Sequence, residues 1–446
     1  MNHKFRSQRV LIAAMVIVLV TLAGCAGQSV YPKISQALRT GDCGAATAIM
    51  AKSQDSYGSN NELLYLLDSA MVALQCGDYA AAQEHLHAAD QLANKLWTES
   101  ISRNIAAFVA NDYTLPYSGE DYERVMIHLI SAIGYLQTNE LDEALVEVRR
   151  LDSLLSVFAE KYSDDDVYKK DAFASYLSGM LREADGAYDD AFIDYSRAAS
   201  TYQHDWRPYG TPMPEMLSQD LLRMAVTVNR MDDARQVLPE PSVNDWKGGG
   251  VDPTLGKVVV IVFSGEGPHK VQDIAVVPTG RGPVSIAFPR IAPGAGACEA
   301  GTLSLNGEQG VYQERLALVS DINQIALKTL ADRKGRIVAK ALARAVAKQV
   351  VISGIANTQD NKQQRDAVAL LLNIANMLAL EKADTRSWRT LPGTILMARA
   401  LVPPGEYRIQ LGACGPLTRD FGKVRVAAGQ TRFLFWDMQF NRPSSN

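Results

Sequence analysis

The sequence of 446 residues is 47% hydrophobic and 21% charged, which provides enough apolar material for two or three packed domains. Three of its 45 Lys and Arg residues, and none of its 49 Asp and Glu residues, lie among the first 24 positions, so the net charge of −4 becomes −7 beyond them. This acidic balance disfavours nucleic acid as a partner.

The first 24 residues have the layout of an export signal. Four basic side chains open the segment, at His3, Lys4, Arg6 and Arg9. An apolar run from Val10 to Ala23 follows, interrupted only by Thr21. As a helix this run would be about 21 Å long, whereas a bilayer core of about 30 Å needs about 20 residues. A signal peptide over residues 1–24 is therefore favoured over a permanent membrane-spanning anchor.

The end of the run, Leu22-Ala23-Gly24-Cys25, resembles the lipobox of bacterial lipoproteins. The resemblance implies that Cys25 receives lipid, becomes the first mature residue and is further acylated, for instance with palmitate, which gives stable anchoring. Residues 25–32 would then form a lipidated tether. Ala26, where inner-membrane lipoproteins of enteric bacteria have Asp, implies the outer membrane of a Gram-negative envelope, facing the periplasm. An ordinary signal peptide with a chance cysteine is the alternative.

Four further cysteines, an even number, suit disulfide formation in an oxidising compartment. They are Cys43, Cys76, Cys298 and Cys414, two in each half of the chain. Of the three possible pairings we predict the one within each half, Cys43–Cys76 and Cys298–Cys414. The sequence has no C-x-x-C, so it supports neither a redox motif nor a zinc site, and we expect no cofactor.

One local pattern recurs five times in the first half of the chain. A Gly or Asn that ends a helix, where a positive φ is needed, is followed five positions later by an Ala that lets the next helix pack closely. The pairs are Gly41 and Ala46, Gly77 and Ala82, Asn139 and Ala144, Gly186 and Ala191, and Asn229 and Ala234. This corner resembles the turn of tetratricopeptide repeats, but its irregular spacing indicates a degenerate array with insertions.

The segments between these corners have helical periodicity. Apolar residues follow the i, i+3, i+4, i+7 rule from Leu63 to Leu74 and from Val125 to Leu136. Because single helix pairs cannot bury such faces, we predict that residues 33–240 stack into a solenoid with a concave surface of the kind that binds peptides or proteins. A helical domain that merely supports the second half of the chain is the alternative.

Beyond a turn-rich linker at residues 241–256 the composition changes to that of short strands. The predicted strands are Lys257–Ser264, Val271–Pro278, Pro283–Pro289, Val311–Ser320, Thr394–Leu401, Tyr407–Ala413, Lys423–Ala427 and Thr431–Met438. Two helices, near Asp321–Val351 and Gln363–Lys382, form an insertion over about 321–383. We therefore predict a multidomain α+β protein, in which residues 257–446 form a β-sandwich-like domain with a helical insertion. Its last strands resemble the final hairpin of small transthyretin-like or PEGA-like modules, which are usually non-catalytic.

No catalytic or metal-binding motif stands out. Ser264 and Glu266, with His269 close by, invite a nucleophile or anion-site interpretation, which a turn between strands explains as well. His128 flanks an apolar stripe and is expected on the surface or in a groove. The run Asp164–Asp166 could bind a divalent cation, but the start of a helix explains it more simply. We expect no metal.

Four cations are spaced by four residues on the first inserted helix, at Arg336, Lys340, Arg344 and Lys348. Like charges at i, i+4 cost about 0.2–0.5 kcal/mol each. Counter-charges on a neighbouring element could compensate for this cost, as could an anionic partner such as an acidic protein or lipid phosphate. A solvated face is the simpler alternative. We treat this basic stripe as a candidate partner contact.

The loop after the second inserted helix puts Trp388 between Arg386 and Arg389, and these three are also candidate partner contacts. Together with the lipobox, the basic helix and the strand end at Gly265, this loop resembles an uncharacterised family of proteobacterial outer-membrane lipoproteins with tetratricopeptide-like N-terminal halves. The resemblance covers most of the mature chain, with Asp384–Pro392 as its most specific part. It implies a role in envelope assembly and assigns no residue a function.

The sequence therefore favours a membrane-tethered periplasmic scaffold that binds an envelope protein, rather than an enzyme. A cell-wall or glycan-acting enzyme with its site in the C-terminal half is the alternative. A deep polar pocket around Asp384, Arg386 and Glu266 would favour the enzyme.

Overall fold

The computed structural model describes residues 30–102, 115–161, 168–279, 282–357 and 382–439. They form a mixed α+β structure, with a helical region first and sheets after it, as predicted. The signal peptide, Cys25, the run Asp164–Asp166 and nearly all of the second inserted helix lie outside the described residues. We call residues 30–244 the helical half and residues 256–439 the sheet half.

The described part of the helical half consists mainly of helices, several of which are joined by short corners. They are α1 (Tyr31–Arg39), α2 (Cys43–Ala51), α3 (Gln54–Tyr57), α4 (Glu62–Gln75), α5 (Tyr79–Ser102), α6 (Asp121–Gln137), α7 (Leu141–Lys161), α8 (Ala172–Ala184), α9 (Tyr188–Gln203), α10 (Glu215–Thr227), α11 (Met231–Val237) and α12 (Glu240–Asn244). Helices α4 and α5, α6 and α7, and α8 and α9 pack pairwise.

The five predicted corners have the expected backbone. The φ angles are 70°, 77°, 61°, 82° and 57° at Gly41, Gly77, Asn139, Gly186 and Asn229. The five alanines that follow are fully buried, as close helix packing requires: Ala46, Ala82, Ala144, Ala191 and Ala234. The helix-turn-helix corners are thus confirmed.

The sheet half contains short strands and one long helix. They are β1 (Gly256–Glu266), β2 (His269–Thr279), β3 (Gly282–Ala292), β4 (Gly301–Gly307), β5 (Gly310–Arg315), β6 (Ala317–Asp321), α13 (Ile322–Asn357), β7 (Pro392–Val402), β8 (Gly405–Ala413), β9 (Leu417–Val426) and β10 (Thr431–Asp437). The sequence missed β4. It also merged β5 and β6, which belong to different sheets.

Two four-stranded sheets are layered face to face. One has the order β10-β1-β7-β6, and the other has the order β5-β4-β8-β9. In the first sheet β1 pairs in parallel with β10 and antiparallel with β7. Because side chains alternate along a strand, successive residues of β1 face opposite layers. Val258, Val260 and Val262 pack on the second sheet, while Val259 and Ile261 join the hydrophobic core of the helical half. The two halves thus share one continuous core.

Strands β2 and β3 form a separate two-stranded ribbon, which packs along α13. Val284 and Ile286 of β3 contact Ala341 and Ala345 of α13. We call β2, β3 and α13 together the arm. Within the described part of the chain, no helix is long and apolar enough to cross a membrane.

Gly179 marks a close approach of α8 and α9. A Cβ there would lie 2.4 Å from the ring of the buried Tyr195, whereas a Cβ at Gly335 of α13 would meet nothing within 4 Å. We expect Gly179→Ala to lower the free energy of unfolding by about 1–3 kcal/mol through overpacking. Gly335→Ala should be neutral or stabilise by up to about 1 kcal/mol. Denaturant unfolding followed by circular dichroism measures the stability of both variants. Equal stabilities of the Gly179→Ala and Gly335→Ala proteins would contradict the close packing at Gly179.

Candidate functional site

Both predicted disulfides are present. Cys43 and Cys76 are bridged with Cα atoms 5.6 Å apart, and Cys298 and Cys414 are bridged with Cα atoms 5.7 Å apart. The first bridge joins two neighbouring corners of the helical half, and the second joins the segment before β4 to the end of β8. Each bridge therefore joins two cysteines of the same half of the chain, as predicted.

Part of the surface of the helical half is covered by the sheet half. Helices α6 and α8 are buried on nearly all sides. Three sets of carboxylates, on α4, on α6 and on α8 with α10, contact the sheet half. The chain's own sheet and the loop before β7 occupy this part of the helical surface, and the concave binding surface stays a prediction.

The first set is a single carboxylate, Asp68 of α4. Its Oδ1 accepts a hydrogen bond from Thr390 at 2.7 Å, and its Oδ2 accepts one from Tyr57 at 2.7 Å. Burial raises the pKa of Asp68, although these hydrogen bonds oppose the shift. Asp68 thus links the loop before β7 to the start of the helical half.

The second set lies at the N-terminus of α6. The Glu123 carboxylate accepts hydrogen bonds from the backbone N–H of Trp388 at 2.7 Å and from the Tyr117 hydroxyl at 2.5 Å. Glu120 pairs with Lys270 of β2 and, at 3.1 Å, with Arg333 of α13. The base of the arm is thereby fixed to the helical half by charge.

Glu120, just before α6, and Glu123, in its first turn, have pKa values that are shifted in opposite directions. Burial, reinforced by the charge of Glu120, raises the pKa of Glu123 to about 7. Burial also opposes ionisation of Glu120, but the cations Lys270 and Arg333 outweigh it and lower its pKa. The charge therefore stays on Glu120, where the cations of the arm are.

The third set is a buried ion cluster of two carboxylates and three cations. Its members are Glu183 of α8, Asp220 and Arg223 of α10, Lys257 of β1 and Arg399 of β7, each at most 7% exposed in its side chain. Arg399 bridges the acids, with 2.6 Å to Glu183 and 2.5 Å to Asp220. Lys257 and Arg223 lie 2.8 and 2.9 Å from the other oxygen of Glu183.

The cations of the ion cluster favour the ionised form of Glu183. Burial disfavours the charge of Glu183, but Arg399, Arg223 and Lys257 outweigh it and lower the pKa of this carboxyl strongly. Two tyrosine hydroxyls complete the cluster: Tyr176 donates to Asp220 at 2.7 Å and Tyr195 donates to Glu183 at 2.6 Å. The carboxylate oxygens therefore have partners in place of water.

The loop that carries the candidate partner contacts Arg386, Trp388 and Arg389 is mostly buried inside the protein. Trp388 is fully buried, and its indole N–H donates to Thr390 at 2.9 Å. Arg386 is buried too, and pairs with Asp384 at 2.7 Å. Arg389 is half-buried, with its guanidinium 4.4 Å from the ring of Tyr31. The expectation of partner contacts is wrong for Arg386 and Trp388, because the helical half covers them.

The basic stripe lies on the part of α13 that runs along β3. Arg336 is exposed, whereas Lys340 and Arg344 are half-buried. Each of these three takes part in an interaction within the chain. Lys348 belongs to α13, but its side chain lies outside the described residues. The stripe is thus on the arm, and Arg336, Lys340 and Arg344 have intrachain contacts.

Ser264, Glu266 and His269, which invited a nucleophile or anion-site interpretation, lie in different surroundings. The Ser264 hydroxyl is fully buried and accepts a hydrogen bond from the Cys298 backbone N–H at 2.7 Å. Glu266 pairs with Arg39 at 3.2 Å. Burial, aided by the charge of Arg389, lowers the pKa of His269. Among the described residues no three potential ligands are grouped to hold a metal ion.

His128 is buried, contrary to the expected surface or groove position. Its Nδ1 lies 2.8 Å from Glu147 and its Nε2 lies 3.4 Å from Asp90. A cavity of about 20 Å³, room for about one water, lies beside these two carboxylates. Burial opposes protonation, but the hydrogen bonds and charges of Asp90 and Glu147 outweigh it and raise the pKa of His128.

No family model matches the chain, and no curated protein matches it. Among solved structures, the crystal structure of BtubC (BKLC) from P. vanneervenii is similar over 55% of this chain and 93% of its own length, with 11% identity and a TM-score of 0.34.

The ion cluster generates a stability prediction. We expect Arg399→Met to lower the free energy of unfolding by about 3–5 kcal/mol, because it leaves buried carboxylates with fewer counter-charges. The matched control is Arg408→Met in the next strand, since Arg408 pairs with Asp420 at 2.5 Å but is 61% exposed. That change should cost at most about 1 kcal/mol. If denaturant unfolding shows similar losses of stability for the two variants, burial does not make the ion pairs of Arg399 more important than the exposed pair of Arg408.

His128 generates a pH prediction. Because its folded pKa is raised, the stability it contributes is complete below its ordinary value of about 6.5 and is lost as pH rises through the folded value. Unfolding free energies should therefore separate wild type from His128→Gln more at about pH 6 than at about pH 9. Asp90→Asn removes a carboxylate that raises the pKa of His128, so it should also make the free energy of unfolding less dependent on pH. A gap that widens with pH would overturn this assignment.

Proposed function

We propose that the chain is a membrane-tethered scaffold lipoprotein of the bacterial envelope, acylated on Cys25 and held on the periplasmic face of the outer membrane. One covalent observation carries the proposal. The chain has five cysteines, and four of them pair in two disulfides, so Cys25 is left over at the end of the lipobox-like segment. The two bridges also suit an oxidising compartment such as the periplasm.

The finer fold belongs to the same proposal. We infer that the helical half is a degenerate tetratricopeptide-like array, which the five positive-φ corners and their buried alanines support. Arrays of this kind usually bind partners on an extended concave surface. In this scaffold the array binds its own sheet, and an envelope protein partner would meet the outer surfaces and the arm.

The contacts between the halves support a scaffold with fixed geometry. A shared core and three sets of buried polar contacts join the halves, so neither half can rotate without exposing apolar surface and separating buried charges. A partner on the helical half and another on the sheet half would therefore be held at a constant distance.

The anchor is tested by Cys25→Ala. Because Cys25 supplies the only thiol at the proposed lipidation site, the variant should lose all label from a palmitate analogue and should keep its first 24 residues. The matched control is the double variant Cys43→Ala and Cys76→Ala, which removes thiols but should leave labelling and cleavage intact. Equal labelling of wild type and Cys25→Ala would defeat the lipoprotein proposal.

The scaffold role is tested with membranes from the same cells. Separation of inner from outer membranes should place the wild type in the outer fraction, and cross-linking in cells should join it to an envelope protein. An acylated protein that cross-links to no other protein would contradict the scaffold role while leaving the anchor standing.

A further inference from the structure

The loop before β7 is held to the helical half through both N–H groups of Trp388. The backbone N–H donates a hydrogen bond to Oε1 of Glu123 at 2.7 Å. The indole N–H donates to the Thr390 hydroxyl at 2.9 Å, and that hydroxyl donates to Oδ1 of Asp68 at 2.7 Å. Two carboxyls on two different helices, α6 and α4, therefore fix one buried side chain of the sheet half.

Uncharged hydroxyl and N–H groups contact the second oxygen of each carboxyl. Oε2 of Glu123 accepts hydrogen bonds from the Tyr117 hydroxyl at 2.5 Å and from the Glu120 backbone N–H at 2.9 Å. Oδ2 of Asp68 accepts one from Tyr57 at 2.7 Å. Glu123 is 1% exposed and Asp68 is 6% exposed. Hydrogen bonds from neutral groups compensate only partly for the lost water, so the charged form of each carboxyl is costly.

The hydroxyl groups allow each carboxyl to take up a proton without losing its partners. A tyrosine hydroxyl can rotate and accept a hydrogen bond, whereas a backbone N–H can only donate one. A protonated Glu123 can therefore donate to Tyr117 and still accept from Trp388 through its other oxygen. A protonated Asp68 can donate to Tyr57 in the same way. The contacts of the loop thus survive protonation, while the buried charges disappear.

The surroundings of the two carboxyls contain charged and titratable groups of both signs. Around Glu123 these groups are Glu120, Asp121 and Tyr122 near the start of α6, Tyr117, Lys270 of β2, Arg333 of α13, and Asp384 and Arg386 of the loop. Around Asp68 they are Tyr31, Tyr57, Tyr65 and Arg389.

The acids in this region respond differently to burial. Burial, reinforced by the charge of Glu120, raises the pKa of Glu123 to about 7. Burial also raises the pKa of Asp68, against the effect of its hydrogen bonds. Burial opposes the charges of Glu120 and Asp384 as well, but nearby cations and hydrogen bonds outweigh it and lower both pKa values. A change of pH near neutrality therefore alters the charge of Glu123 and leaves Glu120 and Asp384 ionised.

We propose that the loop before β7 is a pH-sensitive contact between the two halves, held most firmly when Glu123 and Asp68 carry protons and loosened when both are ionised. The halves stay together during this change, because the cations of the ion cluster keep Glu183 ionised at neutral pH and the shared core remains buried. Opening is therefore confined to the loop, and it exposes Trp388 and Arg386, which the closed loop buries.

The direction of the pH effect follows from the raised pKa of Glu123. Below its ordinary value of about 4.5, the carboxyl is protonated whether the loop is closed or open. Between about 4.5 and about 7 the open form loses its proton first, so the closed form loses relative stability as pH rises. At higher pH both forms are ionised and the loss is complete. Asp68 acts in the same direction, because its pKa is raised too.

The experiment measures hydrogen exchange at the Trp388 backbone N–H in the full chain in detergent, by mass spectrometry of short fragments. Each rate is divided by the intrinsic rate at the same pH, which gives a protection factor. Glu123→Gln removes the titration and keeps an oxygen that can accept from Trp388. The matched control is Asp437→Asn. Burial also raises the pKa of Asp437 to about 7, but its carboxyl accepts its hydrogen bonds from Gln439, away from the loop.

We expect protection at Trp388 to fall by about 10- to 100-fold between about pH 5 and about pH 8 in the wild type and in Asp437→Asn. Glu123→Gln and Asp68→Asn should each reduce this fall, and the double variant should abolish it. Constant protection in the wild type over this range would overturn the proposal without any variant. A fall that Asp437→Asn removes, or that the double variant leaves unchanged, would also overturn it.

Discussion

The arrangement of the two halves depends on the buried ion cluster that Arg399 holds together. Two carboxylates of the helical half and two cations of the sheet half meet there, together with Arg223, in a region from which water is excluded. An ion left unpaired in such a place costs several kcal/mol, whereas a shifted apolar contact costs far less. The hydrophobic core adds attraction between the halves, and we infer that the ion cluster selects one position of the sheet on the helices. The contacts of Asp68 and Glu123 with the loop before β7 are compatible only with that position.

The acids at the boundary between the halves are paired within the chain. Asp68, Glu123 and Glu183 of the helical half contact Thr390, Trp388 and Arg399 of the sheet half. The helical surface around these acids is therefore covered by the chain's own sheet half. The arm is tied to the same region, because Lys270 and Arg333 pair with Glu120 just before α6.

Local features were predictable from the sequence because their signals are local. Positive-φ corners need Gly or Asn, and buried strands such as β1 need apolar runs, so both were found. The disulfides also followed, from the even number of cysteines in each half. The ion cluster could not be derived, because Asp220 and Arg399 are 179 positions apart and only the fold brings them together. A lone arginine within an apolar strand is nonetheless a signal of a buried partner. Trp388 between two arginines suggested a binding surface, since composition alone does not distinguish an external interface from an internal one.

The two halves are joined by contacts of two different kinds. The shared core buries Val259 and Ile261 of β1 among the helices, and the ion cluster pairs Arg399 and Lys257 with Glu183. Moving the sheet half across the helices would expose the apolar residues and also separate the buried charges, so both costs would arise together. A contact that positions one half therefore positions the other as well.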